Sequence, residues 1–348
     1  MRYRPEIDGL RAIAVAAVIL FHAGFALFGG GFVGVDVFFV ISGFLITSII
    51  VEELKTGRFS VLRFYERRAR RILPALFTVM AACVPFAYRL LSPDDLQDFA
   101  QSLAAISLFA SNVLFWGESG YFDTQAELKP LLHTWSLAVE EQFYVVFPLL
   151  LLAAWRLGRG VLLSLIGAIA VASLFTSVDE VRNFPSAAFY LLPSRAWQLL
   201  VGALASFVAD RRPSVALRKP AVCLASEAVG WGGMTMIVMA LFLFDEQTPF
   251  PGLNAALPTV GTVLVLLGAS DRTSVGRMLA WRPLVGLGLI SYSAYLWHQP
   301  LFAFTKHALL ADLPTDLAIV LCAVTIVLAC LSWRYIEQPF RNRNLVGR

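Results

Sequence analysis

The stretch that decides the fold is residues 7–46, IDGLRAIAVAAVILFHAGFALFGGGFVGVDVFFVISGFLI. It contains two apolar runs joined by glycines, which predicts two antiparallel membrane helices with a tight reversal between them. Arg11 and His22 are 11 residues apart. An α-helix therefore places both side chains on one face, roughly 16 Å apart along the axis. The reversal brings His22 and Asp36 to similar predicted depths, where an imidazole and a carboxylate could meet.

Two interpretations of these polar residues are open. A lone histidine in an apolar helix is commonly a packed side chain whose ring bonds a backbone carbonyl. Ionisable groups inside a membrane are costly, however, and they usually mark a transport pathway or a reactive site. Because Arg11, His22 and Asp36 fall within 26 residues, the pattern favours a site.

The composition indicates an integral membrane protein. Of the 348 residues, 58% are hydrophobic and 15% are charged, and the mean hydropathy is +0.71, which predicts repeated membrane spans. The formal charge of +4 does not indicate nucleic-acid binding, because the basic residues stand in short runs between apolar segments. The four cysteines form no Cys-x-x-Cys pair and have no histidine at ligand spacing, so no metal site is predicted.

Eleven apolar runs are long enough to be spans. They are residues 10–28, 32–51, 72–91, 96–117, 134–154, 161–178, 187–209, 221–244, 254–269, 283–304 and 315–335. If all eleven cross, the 28 Lys and Arg residues divide into 14 on each side, against the positive-inside rule. If 96–117 is instead re-entrant or interfacial, 23 lie inside and 5 outside. We therefore predict an all-α protein of about ten transmembrane helices, with that segment between helices 3 and 4 and both termini cytoplasmic.

The basic run RFYERRARRILP (63–74) lies on the predicted inner side. It is either a simple topology signal or an anion site, since guanidinium groups bind phosphate bidentately. Two pairs, Arg67 with Arg70 and Arg68 with Arg71, are one helical turn apart. Pro74 suits the first turn of a helix whose positive dipole end would face the same anion.

Two further stretches place polar groups in apolar sequence. In HTWSLAVEEQFYVVFP (133–148), His133, Glu140 and Tyr144 share one helical face. Acidic residues stabilise helix N-termini, but Glu140 and Glu141 lie more than a turn beyond the predicted start, which favours a site. SYSAYLWHQPLF (291–302) adds His298.

Six stretches, in this order along the chain, closely resemble the acyltransferase type 3 family of integral-membrane acyltransferases. The matching stretches are DGLRAIAVAAVILFH (8–22), GGFVGVDVFFVISGFLI (30–46), RRARRILPAL (67–76), LLHTWSLAVEEQFY (131–144), SYSAYLWHQPL (291–301) and RYIEQPFRN (334–342). They extend from one end of the chain to the other. The family's basic residue and histidine map onto Arg11 and His22, and the register of its Arg-x-x-Arg pair on residues 67–71 stays open.

The resemblance implies transfer of an acyl group, usually acetyl from cytoplasmic acetyl-CoA, to a hydroxyl of a cell-surface or lipid-linked glycan across the bacterial plasma membrane. The arginines would hold the CoA phosphates, and the pantetheine arm would extend along the Arg11 face. His22 would be the general base or a transient acyl carrier, and Asp36 could set its tautomer. Glu140, Glu141 and His298 complete the predicted catalytic group, and His298 is the competing candidate for the base.

The resemblance also implies that residues 1–348 form one transmembrane acyltransferase domain without a fused extracytoplasmic domain, either a stand-alone form or part of a longer protein. Two rival functions remain open. A transporter could use the same His, Asp and Glu residues for proton coupling, whereas a glycan flippase would need no site for a nucleotide-type anion. Dependence on an acyl donor distinguishes the enzyme from both rivals.

Overall fold

The computed structural model describes residues 3–119, 126–210 and 220–341, and within these ranges the chain is helical and contains no β-strand. The α-helices of these ranges are α1 (Pro5–His22), α2 (Gly34–Lys55), α3 (Val61–Leu90), α4 (Pro93–Ser107), α5 (Ser111–Glu118), α6 (Thr134–Ala154), α7 (Arg159–Asn183), α8 (Pro185–Tyr190), α9 (Leu192–Asp210), α10 (Pro220–Leu243), α11 (Ala256–Gly268), α12 (Ser274–Leu279), α13 (Arg282–Leu289), α14 (Ser291–Leu309), α15 (Thr315–Ser332) and α16 (Gln338–Arg341). A π-helical turn at Trp333–Glu337 joins the last two.

Seven helical segments of the described ranges are long and apolar enough to cross a membrane. They are Gly31–Lys55, Val61–Leu90, Thr134–Leu157, Arg159–Asn183, Pro185–Asp210, Val222–Leu243 and Thr315–Arg341. The chain is thus an all-α, multi-pass membrane protein, as its composition predicts. Three other predicted spans are also helical, in α1, α11 and α14, but α11 has only 13 residues and α1 carries three charged side chains. The count of ten spans stays a prediction.

One candidate apolar run that was predicted not to cross, and one predicted span, are each broken in the structure. Residues 96–117 form parts of α4 and α5, which are separated at Phe109, a residue with a positive φ of 52°. No single helix of spanning length forms there, although whether the segment is re-entrant or interfacial stays a prediction. The predicted span 283–304 is likewise divided between α13 and α14.

The predicted start of helix 3 is wrong. Helix α3 begins at Val61, where the Ser60 side chain caps it by accepting a bond from the Arg63 N–H at 3.4 Å. Pro74 therefore lies inside the helix rather than in its first turn. The predicted contribution of a helix dipole beginning at Pro74 to the anion site is therefore wrong.

The described residues pack as two compact units. The first contains those of Met1–Val18, Leu27–Phe59 and Val139–Leu289. Its helices α2 and α9 approach closely at glycines: a Cβ added to Gly43 would lie 1.8 Å from the Leu199 carbonyl oxygen, and one on Gly202 would lie 2.1 Å from that of Val40. Small residues favour such contacts in membranes, where lipid is as apolar as the side chains.

The second unit contains the described residues of Ile19–Ala26, Ser60–Ala138 and Ile290–Arg348. Its core packs α3 against α14 through buried residues such as Leu76, Val79, Leu296 and Phe304. The Tyr292 hydroxyl of α14 donates to the Ile72 carbonyl of α3 at 2.9 Å. This packing fixes α14, which carries His298.

Candidate active site

Three histidines meet inside the second unit. His22 is the last residue of α1, His133 directly precedes α6, and His298 lies in α14. The ring centroid of His298 is 5.0 Å from that of His22 and 5.3 Å from that of His133. His298 is fully buried and His133 is 4% exposed. The structure thus brings together two predicted site residues, His22 and His298, and adds a third histidine.

The backbone fixes the tautomer of His298. Its Nδ1 lies 2.6 Å from the backbone oxygen of Tyr295. A carbonyl oxygen can only accept a hydrogen bond, so Nδ1 carries the proton of the neutral ring. The lone pair is then on Nε2, which is buried and has no hydrogen-bond partner among the described residues. His298 therefore presents a nitrogen lone pair that no donor among the described residues occupies.

The Tyr295 phenol connects α14 to the start of α6. Its oxygen is 2.6 Å from the Ser136 hydroxyl and donates to the backbone carbonyl of His133 at 2.9 Å. The rings of Tyr295 and His133 also meet edge to face, with centroids 5.3 Å apart. Tyr295 therefore positions both His133 and His298.

His133 is a buried imidazole whose two ring nitrogens make no well-formed hydrogen bond in the described part of the chain, although the Leu296 backbone interacts weakly with the ring. Burial, with a smaller contribution from the nearby charge of His22, lowers the pKa of His133 to about 3. It is therefore neutral near pH 7.

In the described ranges, no three His, Cys, Asp or Glu side chains are arranged to hold a metal ion.

The four predicted donor-binding arginines also belong to the second unit. Residues 67–71 are helical, so Arg67 with Arg70 and Arg68 with Arg71 do share faces of α3, and all four side chains are half-buried. Arg70 also pairs with Glu66 at 3.1 Å. Neither register is favoured by these contacts.

Asp36 belongs to the first unit, where it is 1% exposed. Its Oδ1 accepts hydrogen bonds from Arg195, at 3.0 Å, and from Gln198. The Arg195 guanidinium lies over the rings of Phe189 and Phe250, at 5.0 and 5.2 Å. Asp36 is therefore half of a buried ion pair, and its predicted role beside His22 stays a prediction.

The other predicted residues of the first unit have described partners of their own. Glu140 accepts hydrogen bonds from the hydroxyls of Ser42 and Tyr144, the latter one turn away as predicted. Glu141 is 8% exposed. Arg11 pairs with Asp8 at 3.6 Å. The structure thus divides the predicted residues between the two units.

The sequence interpretation missed several of these partners. Tyr295 precedes His298 by one helical turn, a spacing that could have suggested its role. Arg195 is one of the five basic residues that the charge count places outside, but its side chain is 1% exposed. Glu337, in the π-helical turn, is 2% exposed and accepts a hydrogen bond from Ser293.

The comparisons with known proteins agree on one family. The profile of a family described as an acyltransferase domain matches residues 4–334. The chain is 29% identical over 355 residues to "O-acetyltransferase OatA" of Staphylococcus aureus (98% of this chain, 58% of that protein). It is 33% identical over 353 residues to "Putative peptidoglycan O-acetyltransferase YrhL" of Bacillus subtilis (98% and 55%). It is 32% identical over 361 residues to "Peptidoglycan O-acetyltransferase OatA" of Listeria monocytogenes (99% and 57%).

The chain spans little more than half the length of these curated relatives. No solved structure matches it significantly.

Proposed function

Because the chain belongs to the acyltransferase domain family, we propose that it is a membrane O-acetyltransferase that transfers acetyl from cytoplasmic acetyl-CoA to a glycan hydroxyl. Two of the relatives are named as peptidoglycan O-acetyltransferases, one of them putatively, so we propose peptidoglycan as the acceptor. A plasma-membrane location with cytoplasmic termini belongs to the same proposal.

The observation that carries the proposal is the buried, unpaired Nε2 of His298, whose lone pair is fixed by the bond from Nδ1 to Tyr295. A positioned general base contributes about 10²- to 10⁴-fold in rate. The sequence alone pointed to His22 as the base. We assign the first proton transfer to His298, because its tautomer is defined, and the next one to the adjacent His22.

In the proposed step, the acceptor hydroxyl oxygen forms a bond to the acetyl carbonyl carbon while the C–S bond of the thioester breaks. The hydroxyl proton moves to Nε2 of His298 and is passed through His22 to the departing sulfur. The products are an acetyl ester and free CoA. The arginines at residues 67–71 hold the donor phosphates through charge-assisted bonds.

The test uses the full chain in membrane vesicles supplied with peptidoglycan and [¹⁴C]acetyl-CoA, with glycan-bound label as the readout. We expect His298→Gln and His22→Gln each to lower the rate by at least about 100-fold while donor binding, measured by calorimetry, is kept. The control is His307→Gln, on the same helix, whose ring bonds the Leu128 carbonyl at 3.0 Å.

Two outcomes would contradict the proposal. A transporter or flippase would neither bind acetyl-CoA nor label the glycan. If only the His22 variant loses activity, the transfer stands but the first base is His22.

A further inference from the structure

We propose that His133 is a third catalytic residue, which donates a ring N–H to the carbonyl oxygen of the transferred acetyl group as that oxygen becomes negative. This inference rests on the proposed acetyl transfer and adds to it a group that stabilises the transition state. None of the roles assigned above uses the His133 side chain.

The first support is the hydrogen bonding of the ring. A neutral imidazole has one N–H donor and one acceptor nitrogen. Both nitrogens of His133 are buried and neither makes a well-formed hydrogen bond to a described residue, although the Leu296 backbone interacts weakly with the ring. Buried polar groups are nearly always paired, and an exception calls for an explanation. A substrate oxygen that arrives only during the reaction would provide the missing partner.

The second support is position. The ring centroid of His133 lies 5.3 Å from that of His298, whose free Nε2 is the proposed base. The attacked carbonyl carbon must lie beside the hydroxyl that this base deprotonates. The oxygen of this carbonyl then lies near the His133 ring, which neighbours His298. The Tyr295 hydroxyl donates to the backbone carbonyl of His133 at 2.9 Å. The ring of His133 is therefore held in position before the substrate arrives.

The third support is the protonation state, which separates the role of His133 from that of a base. Burial keeps the ring neutral at physiological pH, and the positive end of the α6 dipole, one residue away, also disfavours a charged ring. A neutral histidine of lowered basicity is a poor proton acceptor near pH 7, but its N–H can polarise a carbonyl, as a neutral histidine does in triosephosphate isomerase.

The test compares His133→Leu with His133→Gln in the full chain, using the same vesicles, [¹⁴C]acetyl-CoA and peptidoglycan. Losing one oxyanion donor typically costs about 10²- to 10³-fold in kcat. We expect that loss for the leucine variant, with an unchanged KM for acetyl-CoA and an unchanged pH–rate profile. The glutamine variant, whose amide can donate, should keep about ten times more activity than the leucine variant.

Thermal stability separates this role from a structural one. Replacing an unpaired buried ring by leucine should leave the melting temperature at pH 7.5 equal or higher, whereas loss of a structural hydrogen bond would lower it. Leucine and glutamine variants that are equally active as the wild type would overturn the inference while leaving the proposed function intact. A wild type that transfers no label would overturn both. A leucine variant whose activity falls only in parallel with its stability would show a packing role instead.

Discussion

The backbone carbonyl of Tyr295 accepts the Nδ1–H of His298 at 2.6 Å. The phenol of the same tyrosine donates to the carbonyl of His133 at 2.9 Å. One residue thus orients the proposed base through its backbone and holds a second histidine through its side chain. Removing the Tyr295 hydroxyl should therefore affect only the contact with His133, because the contact with His298 uses the backbone.

Tyr295→Phe removes the bonds to Ser136 and to the His133 carbonyl but leaves the backbone bond to His298 in place. We expect kcat to fall about tenfold, because His133 loses its anchor while the base is kept, and stability to fall by about 0.5–1.5 kcal/mol per lost bond. Glycan labelling and the melting temperature provide the two measurements.

The matched control is Tyr292→Phe, on the same helix, which loses one bond to the Ile72 carbonyl away from the histidines. It should cost similar stability per bond with little change in kcat. Equal losses of activity in the two variants would show that Tyr295 acts only through the stability of α14.

The arginines of α3 should control donor binding rather than chemistry. Each charge-assisted phosphate contact contributes about 1.5–3 kcal/mol, so replacing Arg67 and Arg70, or Arg68 and Arg71, by glutamine should raise the KM for acetyl-CoA roughly 100-fold or more at a nearly constant kcat if both residues of the pair bind phosphate. The pair with the larger effect defines the register. Arg89→Gln, at the exposed far end of α3, is the control. An unchanged donor affinity after replacing all four residues would refute the assignment.

The Asp36–Arg195 pair should act on stability. Both side chains are 1% exposed, and removing one partner of a buried pair typically costs about 3–5 kcal/mol because the other charge is left uncompensated. We expect Arg195→Leu to destabilise the protein strongly, and Arg195→Leu combined with Asp36→Asn to be less destabilised than the sum of the single variants.

The exposed pair of Lys55 and Asp210, at 2.6 Å, is the comparison. Lys55→Met should change stability by only about 0–1 kcal/mol. Additive effects of Asp36→Asn and Arg195→Leu in thermal unfolding would show that the two side chains are not energetically coupled.

Much of the helical content could be predicted from the sequence, because membrane spans are recorded directly in apolar run length. The positions at which the helices break or begin could not be predicted. Phe109 adopts a positive φ between α4 and α5 without a glycine or proline to signal it. Pro74 was taken as a helix start, yet Ser60 provides the cap 14 residues earlier. Local residue preferences do not show which of two possible starts the packing of α3 will select.

The candidate site was predictable only in part. His22 and His298 stood out as polar residues in apolar sequence. The role of Tyr295 depends on a bond to a residue 162 positions away, which no local pattern records. The same limit applies to Arg195, since its partner Asp36 is 159 residues distant.

The final prediction concerns pH. The pKa of His133 falls from its ordinary value of 6.5 to about 3 in the folded protein, chiefly through burial. Between these values the unfolded chain binds more protons than the folded one, so this group lowers stability as pH falls below about 6.5 and has no effect above it. The slope is about 1.4 kcal/mol per pH unit for one proton, or roughly 2 kcal/mol between pH 7 and pH 5.

Other carboxylates and histidines also titrate in this range, so the contribution of His133 is measured as a difference. The melting temperatures of the wild type and of His133→Leu are compared at pH 7.5 and pH 5.0 in a detergent whose charge does not change. We expect the wild type to lose more stability than the variant, because leucine cannot take up a proton. His307→Gln, which leaves His133 intact, should retain the wild-type dependence. Equal losses in the wild type and His133→Leu would mean that His133 is already accessible to protons in the folded state, and its assignment as a neutral donor would then fail.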